Sequence, residues 1–507
     1  MKKNNGVFDL FIIGGGINGV GIARDAAGRG LTVALCDQGD LGGATSWTSS
    51  KLVHGGLRYL ELYKFRLVYE SLAEREVLLR AAPHLVRPLR FVLPHVPELR
   101  PAWMIRAGLF LYDHLSRRVS LPGSKAVKLR ESPLGAGLKD SFRKGFAYSD
   151  CLVDDARLVI ANVLAASSLG VNVMTRTACA GAEVVDGVWH VKLESRDPNK
   201  RSTVAARALL NVAGPWVAQV HASIKGVRPG KRIRLIKGSH IVVPRLHAGK
   251  HTYILQNVDR RQVFVIPFER QYSLIGTTEV EVEGRLGSLK ISKDEIDYLC
   301  RAVNRYMVRS VGPEDVIWSY AGVRPLFGDN EVDLSAITRD YELTLDTVTG
   351  NAPVLTVYGG KITTYRRLAE HVLEKLNPFF PDMKPAWTAS TPLPGGDIPH
   401  GDFDAFVRQL GQDYPQLPQF LLEALSRRHG TRCIEILRGA HVVDALGQHF
   451  GAGLYAREVD YLIDHEWART AEDVLWRRTK IGLHMTDEER ASVVEYVARQ
   501  RQPAKAK

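Results

Sequence analysis

Residues 8–13 are apolar apart from one Asp and run directly into Gly14-Gly15-Gly16. Residues 20–29 then carry a helical pattern, and residues 31–36 form a second short apolar run. A strand, a glycine turn, a helix and a second strand make a βαβ unit. Residues 45–59 are rich in Ser, Thr and Gly and are expected to form a long functional loop. Helical periodicity returns over residues 153–168, followed by a strand over 171–177 and by a stretch over 182–194 in which Asp186-Gly187 supplies a hairpin turn. Residues 208–212 form another apolar strand, entering Ala213-Gly214-Pro215-Trp216, and belong with the N-terminal sheet. The segments between are different. They carry many prolines and alternate at two-residue spacing, as over 262–267 and 272–277, the pattern of an antiparallel sheet. Beyond residue 365, Pro378, Pro381, Pro385 and Pro392-Leu393-Pro394-Gly395-Gly396 form a linker, after which helical periodicity continues to about residue 500.

The predicted class is therefore α/β: a Rossmann-like dinucleotide-binding domain (1–82, 150–232 and 336–385) interleaved with an antiparallel-sheet substrate domain (83–149 and 233–335). A C-terminal helical domain (386–507) completes it.

Gly14, Gly16 and Gly19 stand in G-x-G-x-x-G spacing between the first strand and the helix. The first glycine permits the turn, the second lets backbone approach a pyrophosphate, and the third lets helix pack on strand. The helix N-terminus offers N–H groups to phosphate. Asp37, at the end of the second strand, is placed to accept a ribose hydroxyl. The glycine pattern alone does not separate FAD from NAD; its N-terminal position and the Ser/Thr-rich loop after the second strand favour FAD.

The 68 Lys and Arg exceed the 55 Asp and Glu by 13, which suits a phosphorylated substrate, an anionic membrane face or nucleic acid. A compact basic stripe with interleaved aromatics is missing, so no nucleic acid is expected. Five scattered cysteines lack CxxC or His/Cys spacing, so they are read as reduced cytosolic thiols and no metal is expected. The opening lysines resemble a secretory signal, but Asp9 and the glycine run interrupt it. No transmembrane run is present; residues 100–118, with Trp103, Met104, Ile105, Leu109, Phe110 and Leu111 between arginines, suit either an interfacial or a buried helix.

The stretch TSWTSSKLVHGGLRYLE over residues 45–61 resembles the signature of quinone-linked, FAD-dependent (aerobic) glycerol-3-phosphate dehydrogenases. Family-like motifs continue with RLIKGSH at 234–240, GVRP at 322–325, ITRDY at 337–341, GGKITTY at 359–365, HEWA at 465–468 and LWRRT at 475–479. The resemblance implies an amino-acid-oxidase-like arrangement of the two interleaved domains and a cytoplasmic enzyme on the inner face of the cell membrane. It would oxidise sn-glycerol 3-phosphate to dihydroxyacetone phosphate and pass electrons to quinone. A flavin oxidase of a phosphorylated polyol, using oxygen as acceptor, is the alternative. The C-terminal helices could serve a homodimer or membrane contact.

Within those motifs, Arg58, Arg324, Arg339 and Lys361 are the cations suited to a phosphate dianion, with the Tyr59 hydroxyl beside Arg58. His240 is the expected base and His54 is expected close to the flavin, with Arg324 assisting catalysis. Further cofactor contacts are expected from Thr45, Ser46, Ser50, Lys51, Gly214, Gly360, Lys361 and Thr364.

Overall fold

The computed structural model describes residues 6–116, 119–196, 199–259, 261–282, 286, 289–327 and 340–501. β1 (Val7–Ile13) is central in an eight-stranded sheet, flanked in parallel by β2 (Val33–Cys36) and by the strand Asn199–Asn211. Ala352–Tyr358 continues the parallel order, and Glu342–Val348 closes that side antiparallel. The helix α1 (Ile17–Gly28) begins three residues earlier than its periodicity suggests, because the glycine turn feeds directly into it. Together with helices Asp155–Ser168 and Tyr365–Leu376 it covers one face over a shared apolar core. The predicted hairpin lies on the other side, as Thr177–Val185 and Val188–Arg196. Asp186 (φ 50°) and Gly187 (φ 77°) both take the left-handed conformation that a two-residue turn requires.

The second sheet has ten strands, contributed by residues 52–153 and 233–327. Its longest pairing joins Ile233–Pro244 to Trp318–Phe327, with Gly238 opposite Gly322 and Ile236 opposite Arg324. The expectation of an antiparallel sheet needs one correction, since Thr252–Gln256 runs parallel to Val86–Pro94 where the two segments meet. Parallel neighbours need a long crossover. Here the crossover includes strands of the first sheet.

The C-terminal part has its own core under helices Phe403–Asp413, Gln419–His429, Ala456–His465 and Asp487–Gln500, with a small hairpin, His449–Gly451 and Leu454–Tyr455. A six-residue π-helix, Asp473–Arg478, faces the rest of the chain. Buried charge joins the two parts: Arg157, on the helix capped by Asp154, donates to both oxygens of Glu466, and Lys480 pairs with Asp154 at 2.5 Å.

Candidate active site

β1 ends where the chain must turn sharply. Gly14 has φ 120°, and a Cβ there would strike the Val212 carbonyl of the neighbouring strand end. A Cβ on Gly19 would strike the Gly14 carbonyl, so this glycine sets how closely α1 packs on the turn. The Ser46 hydroxyl accepts the Ile17 N–H at 3.0 Å, capping α1 from the loop after β2. Asp37 accepts the Gly15 N–H and the Gly39 N–H, each at 2.7 Å. Burial pushes its carboxyl up to about 6, against the opposing effect of those two N–H bonds.

A cavity of about 680 Å³ starts at this turn and runs between the two sheets. Its wall is electrically divided. The lining carboxylates, Asp37, Asp40 and Glu194, come from the loop after β2 and from the first sheet's hairpin. The lining cations, Arg324 and Lys361, come from the second sheet and from the turn after Ala352–Tyr358. Arg324 donates to Thr277 Oγ1 at 3.1 Å, and its guanidinium fills the space that a Gly238 side chain would occupy. Lys361 Nζ sits 3.7 Å from the centre of the Tyr59 ring, a cation–π contact that holds the ammonium on the wall. His54 is the one imidazole on this wall among the described residues.

Gly14, Gly16, Asp37, Thr45, Ser46 and Ser50 line the cavity, as do His54, Tyr59, Gly214, Arg324, Gly360 and Lys361. Gly19, Arg58 and Thr364 do not, and Arg339 lies outside the described residues. Lys51 points the other way: its ammonium is buried against Asp155 at 3.0 Å and against the Trp47 carbonyl. His240, the expected base, sits behind the wall at 1% exposure, with Nε2 2.9 Å from Ser50 Oγ and its ring stacked on Tyr320. Burial, with Arg324 and Lys51 nearby, holds its imidazole well below the ordinary value. Its Nε2 meets the wall at Ser50, which lines the cavity.

Three contributors were not singled out from sequence. Gly238 makes room for Arg324, and Thr277 orients it. Asp40 is gripped by Arg477 and Arg478 from the far end of the chain. The Lys237-Gly238-Ser239 run could have drawn attention to Gly238, since glycine inside a strand marks close approach of another group.

A dinucleotide fits this cavity, whose volume lies within the ~300–1,000 Å³ usual for cofactor sites. Any side chain at Gly15 would meet Asp37 and Leu41 at 3.0 Å, so the turn is kept bare where a pyrophosphate would approach.

One outer face is apolar. In the helix Ala102–His114, Ile105, Leu109 and Tyr112 pack inward, while Trp103 is 70% and Phe110 57% exposed. Arg100, just before this helix, pairs with Glu61 at 2.6 Å and brings exposed Tyr63, Phe65 and Tyr69 alongside. Among the described residues no helix is long and apolar enough to cross a membrane.

The sequence model described as FAD dependent oxidoreductase matches residues 9–366, and that of the C-terminal domain of alpha-glycerophosphate oxidase matches residues 386–502. The chain is 53% identical to a glycerol-3-phosphate dehydrogenase of Pseudomonas aeruginosa, over 97% of this chain and 95% of that protein. It is 50% identical to a D-erythritol 1-phosphate dehydrogenase of Brucella abortus, over 96% and 97% respectively. Its fold is similar to the crystal structure of a Bacillus halodurans glycerol-3-phosphate dehydrogenase complexed with FAD, with TM-score 0.75, 23% identity and coverage of 97% and 94%.

Proposed function

The chain belongs to the FAD-dependent oxidoreductases, in the family of the glycerol-3-phosphate dehydrogenases, and on that premise we propose that it oxidises sn-glycerol 3-phosphate to dihydroxyacetone phosphate and delivers the electrons to membrane quinone. The observation that carries the substrate is the pairing of Arg324 and Lys361 on the part of the wall supplied by the second sheet and the Gly359–Gly360 turn. Two fixed cations facing one space suit a phosphate dianion, which can take charge-assisted hydrogen bonds from both.

When bound, FAD supplies the two-electron acceptor. Gly14, Gly16, Asp37, Ser46 and Gly360 would hold it along the wall, Asp37 by accepting a ribose hydroxyl. Arg324 holds the phosphate and aims C2, and the Lys361 ammonium, kept in place by Tyr59, adds the second charge. Loss of hydride from C2 must be matched by loss of the hydroxyl proton, and His54 is the group on the wall to receive it. His240 sets the Ser50 hydroxyl beside that site.

For the acceptor, the support is the exposed apolar face around Trp103, Phe110 and Tyr63, which suits the interfacial layer of a bilayer where a lipid-soluble quinone resides. In this reading the protein docks at the inner face of the cell membrane, and among the described residues no helix is long and apolar enough to span it.

An anaerobic titration of the yellow protein with sn-glycerol 3-phosphate tests this reading. Bleaching is expected with the phosphate ester and not with glycerol, and a quinone analogue restores the colour. The Brucella relative makes D-erythritol 1-phosphate the competitor. Bleaching by that ester alone would replace the substrate, and return of colour with oxygen but not quinone would replace the acceptor.

A further inference from the structure

The loop after β2 is anchored by residues more than four hundred positions downstream. Asp40 is buried, and its carboxylate takes three charged hydrogen bonds: from Arg477 Nε at 2.7 Å and from Arg478 Nη1 and Nη2 at 2.7 and 2.8 Å. Both arginines lie on the π-helix Asp473–Arg478, where a wide turn lets two consecutive side chains reach one carboxylate. Arg478 is held in turn by the Glu466 carbonyl, and Arg477 also pairs with Asp473.

A second tie runs in parallel. Asp473 Oδ2 accepts from Arg176 Nη2 at 2.6 Å, and the Arg176 N–H donates to the Gly39 carbonyl at 2.9 Å. The next residue, Thr177, donates its N–H to the Asp37 carbonyl at 2.7 Å. The gripped loop reaches the glycine turn directly, since Gly42 N–H donates to the Gly15 carbonyl and Gly15 N–H donates to Asp37. Asp37, Gly39, Asp40 and Gly42 all line the cavity.

We infer that the C-terminal domain is a clamp on the FAD-binding loop, with Asp40 as its positioning residue and Arg477 and Arg478 as its jaws. Cofactor retention and docking of the C-terminal domain are then coupled, each strengthening the other by the same factor. The inference rests on FAD as the cofactor and not on which polyol phosphate is oxidised. It gives residues 386–502 a task in retaining the cofactor without placing any of them on the substrate.

The test is the rate at which FAD leaves the holoenzyme after dilution, read from the rise in free-flavin fluorescence, below the temperature at which far-UV circular dichroism reports unfolding. Arg477→Gln leaves Arg478 on Asp40 and is expected to fold, with FAD release about five- to a hundred-fold faster. Turnover per bound flavin is expected to stay unchanged, and Arg477→Lys to restore much of the retention. Asp40→Asn is expected to lose FAD faster still. Arg428→Gln is the control, because it breaks a charge pair internal to the C-terminal domain, Arg428 Nε to Glu458 at 2.7 Å, and is expected to release FAD at the parental rate. Release at the parental rate from Arg477→Gln overturns the clamp. So does equally fast release from Arg428→Gln, which would reduce the effect to general loosening.

Discussion

Gly238→Ala adds one methyl group behind Arg324. An ideal Cβ at this position would lie 2.7 Å from both Nη1 and Nη2 of Arg324 and 2.7 Å from Thr277 Oγ1. Ordinary contact begins near ~3.5 Å, so the guanidinium must retreat by about 1 Å. The strand itself tolerates the change, since Gly238 is not among the positive-φ glycines and alanine is if anything the better strand residue by ~0.5–1 kcal/mol. The fold and the bound flavin should therefore survive while Arg324, the proposed phosphate ligand, is displaced. A hydrogen bond to a charged group contributes ~1.5–3 kcal/mol net, so losing one predicts a rise in KM for sn-glycerol 3-phosphate of about ten- to a hundred-fold. Steady-state reduction of a quinone analogue by the parent, Gly238→Ala, Arg324→Lys and the double variant measures it. If the methyl acts only through Arg324, the double variant should be little worse than Arg324→Lys. Additive losses, or an unchanged KM in Gly238→Ala, would refute the reasoning.

The raised Asp37 carboxyl predicts that FAD is held less tightly in acid. In its proposed role ionised Asp37 accepts a ribose hydroxyl and protonated Asp37 does not do so as well, so FAD affinity should be full above the value near 6 and fall as pH drops through it, by up to about ten-fold per unit; a flat profile between pH 5 and 7.5 would remove Asp37 from the ribose. Glu466→Gln should destabilise the fold by ~3–5 kcal/mol, because Arg157 is left buried beside a neutral amide. In the parent, Glu466 has its carboxyl held well below the usual range chiefly by Arg157, despite burial; its contribution is present above the unfolded value near ~4.3 and lost as pH falls toward the depressed folded value. Urea melts of the two proteins should differ fully at pH 7, with the gap narrowing progressively as pH falls below ~4.3; an unchanged gap at pH 3 would exclude this linkage. Trp103→Ser with Phe110→Ser should weaken sedimentation with anionic vesicles several-fold while leaving activity on a water-soluble quinone analogue intact; undiminished sedimentation would move the docking face elsewhere.

What was legible in the chain was whatever has a local cause. The turn at Gly14 is written in three glycines at fixed spacing because backbone sterics act over a few residues, and the Asp186-Gly187 hairpin is legible for the same reason. Arg324 and Lys361 could be chosen because they stand in motif-like runs beside Gly and Pro, and both line the cavity. His240 shows the limit. Its sequence neighbourhood looks the same whether the ring enters the cavity or backs onto it, and the difference is made by Ser50 and Tyr320 from other strands. Lys51 carries the same lesson, since the partner of its ammonium, Asp155, lies 104 positions away. The grip on Asp40 spans 437 positions to Arg477 and leaves no periodic trace.

The interleaving also sets a schedule for synthesis. β1 is made about two hundred residues before its neighbour Asn199–Asn211, and Ala352–Tyr358 lies beyond that. At ~5–20 residues per second, β1 waits on the order of 10–40 s with an apolar edge unpaired, a period in which other chains and chaperones compete for it. Asp40 waits longer, for the 437 further positions that deliver Arg477 and then Arg478. A ribosome that stops before Arg477 therefore releases a chain whose cofactor loop has never been closed, and a flavin that stays bound reports that translation passed that point.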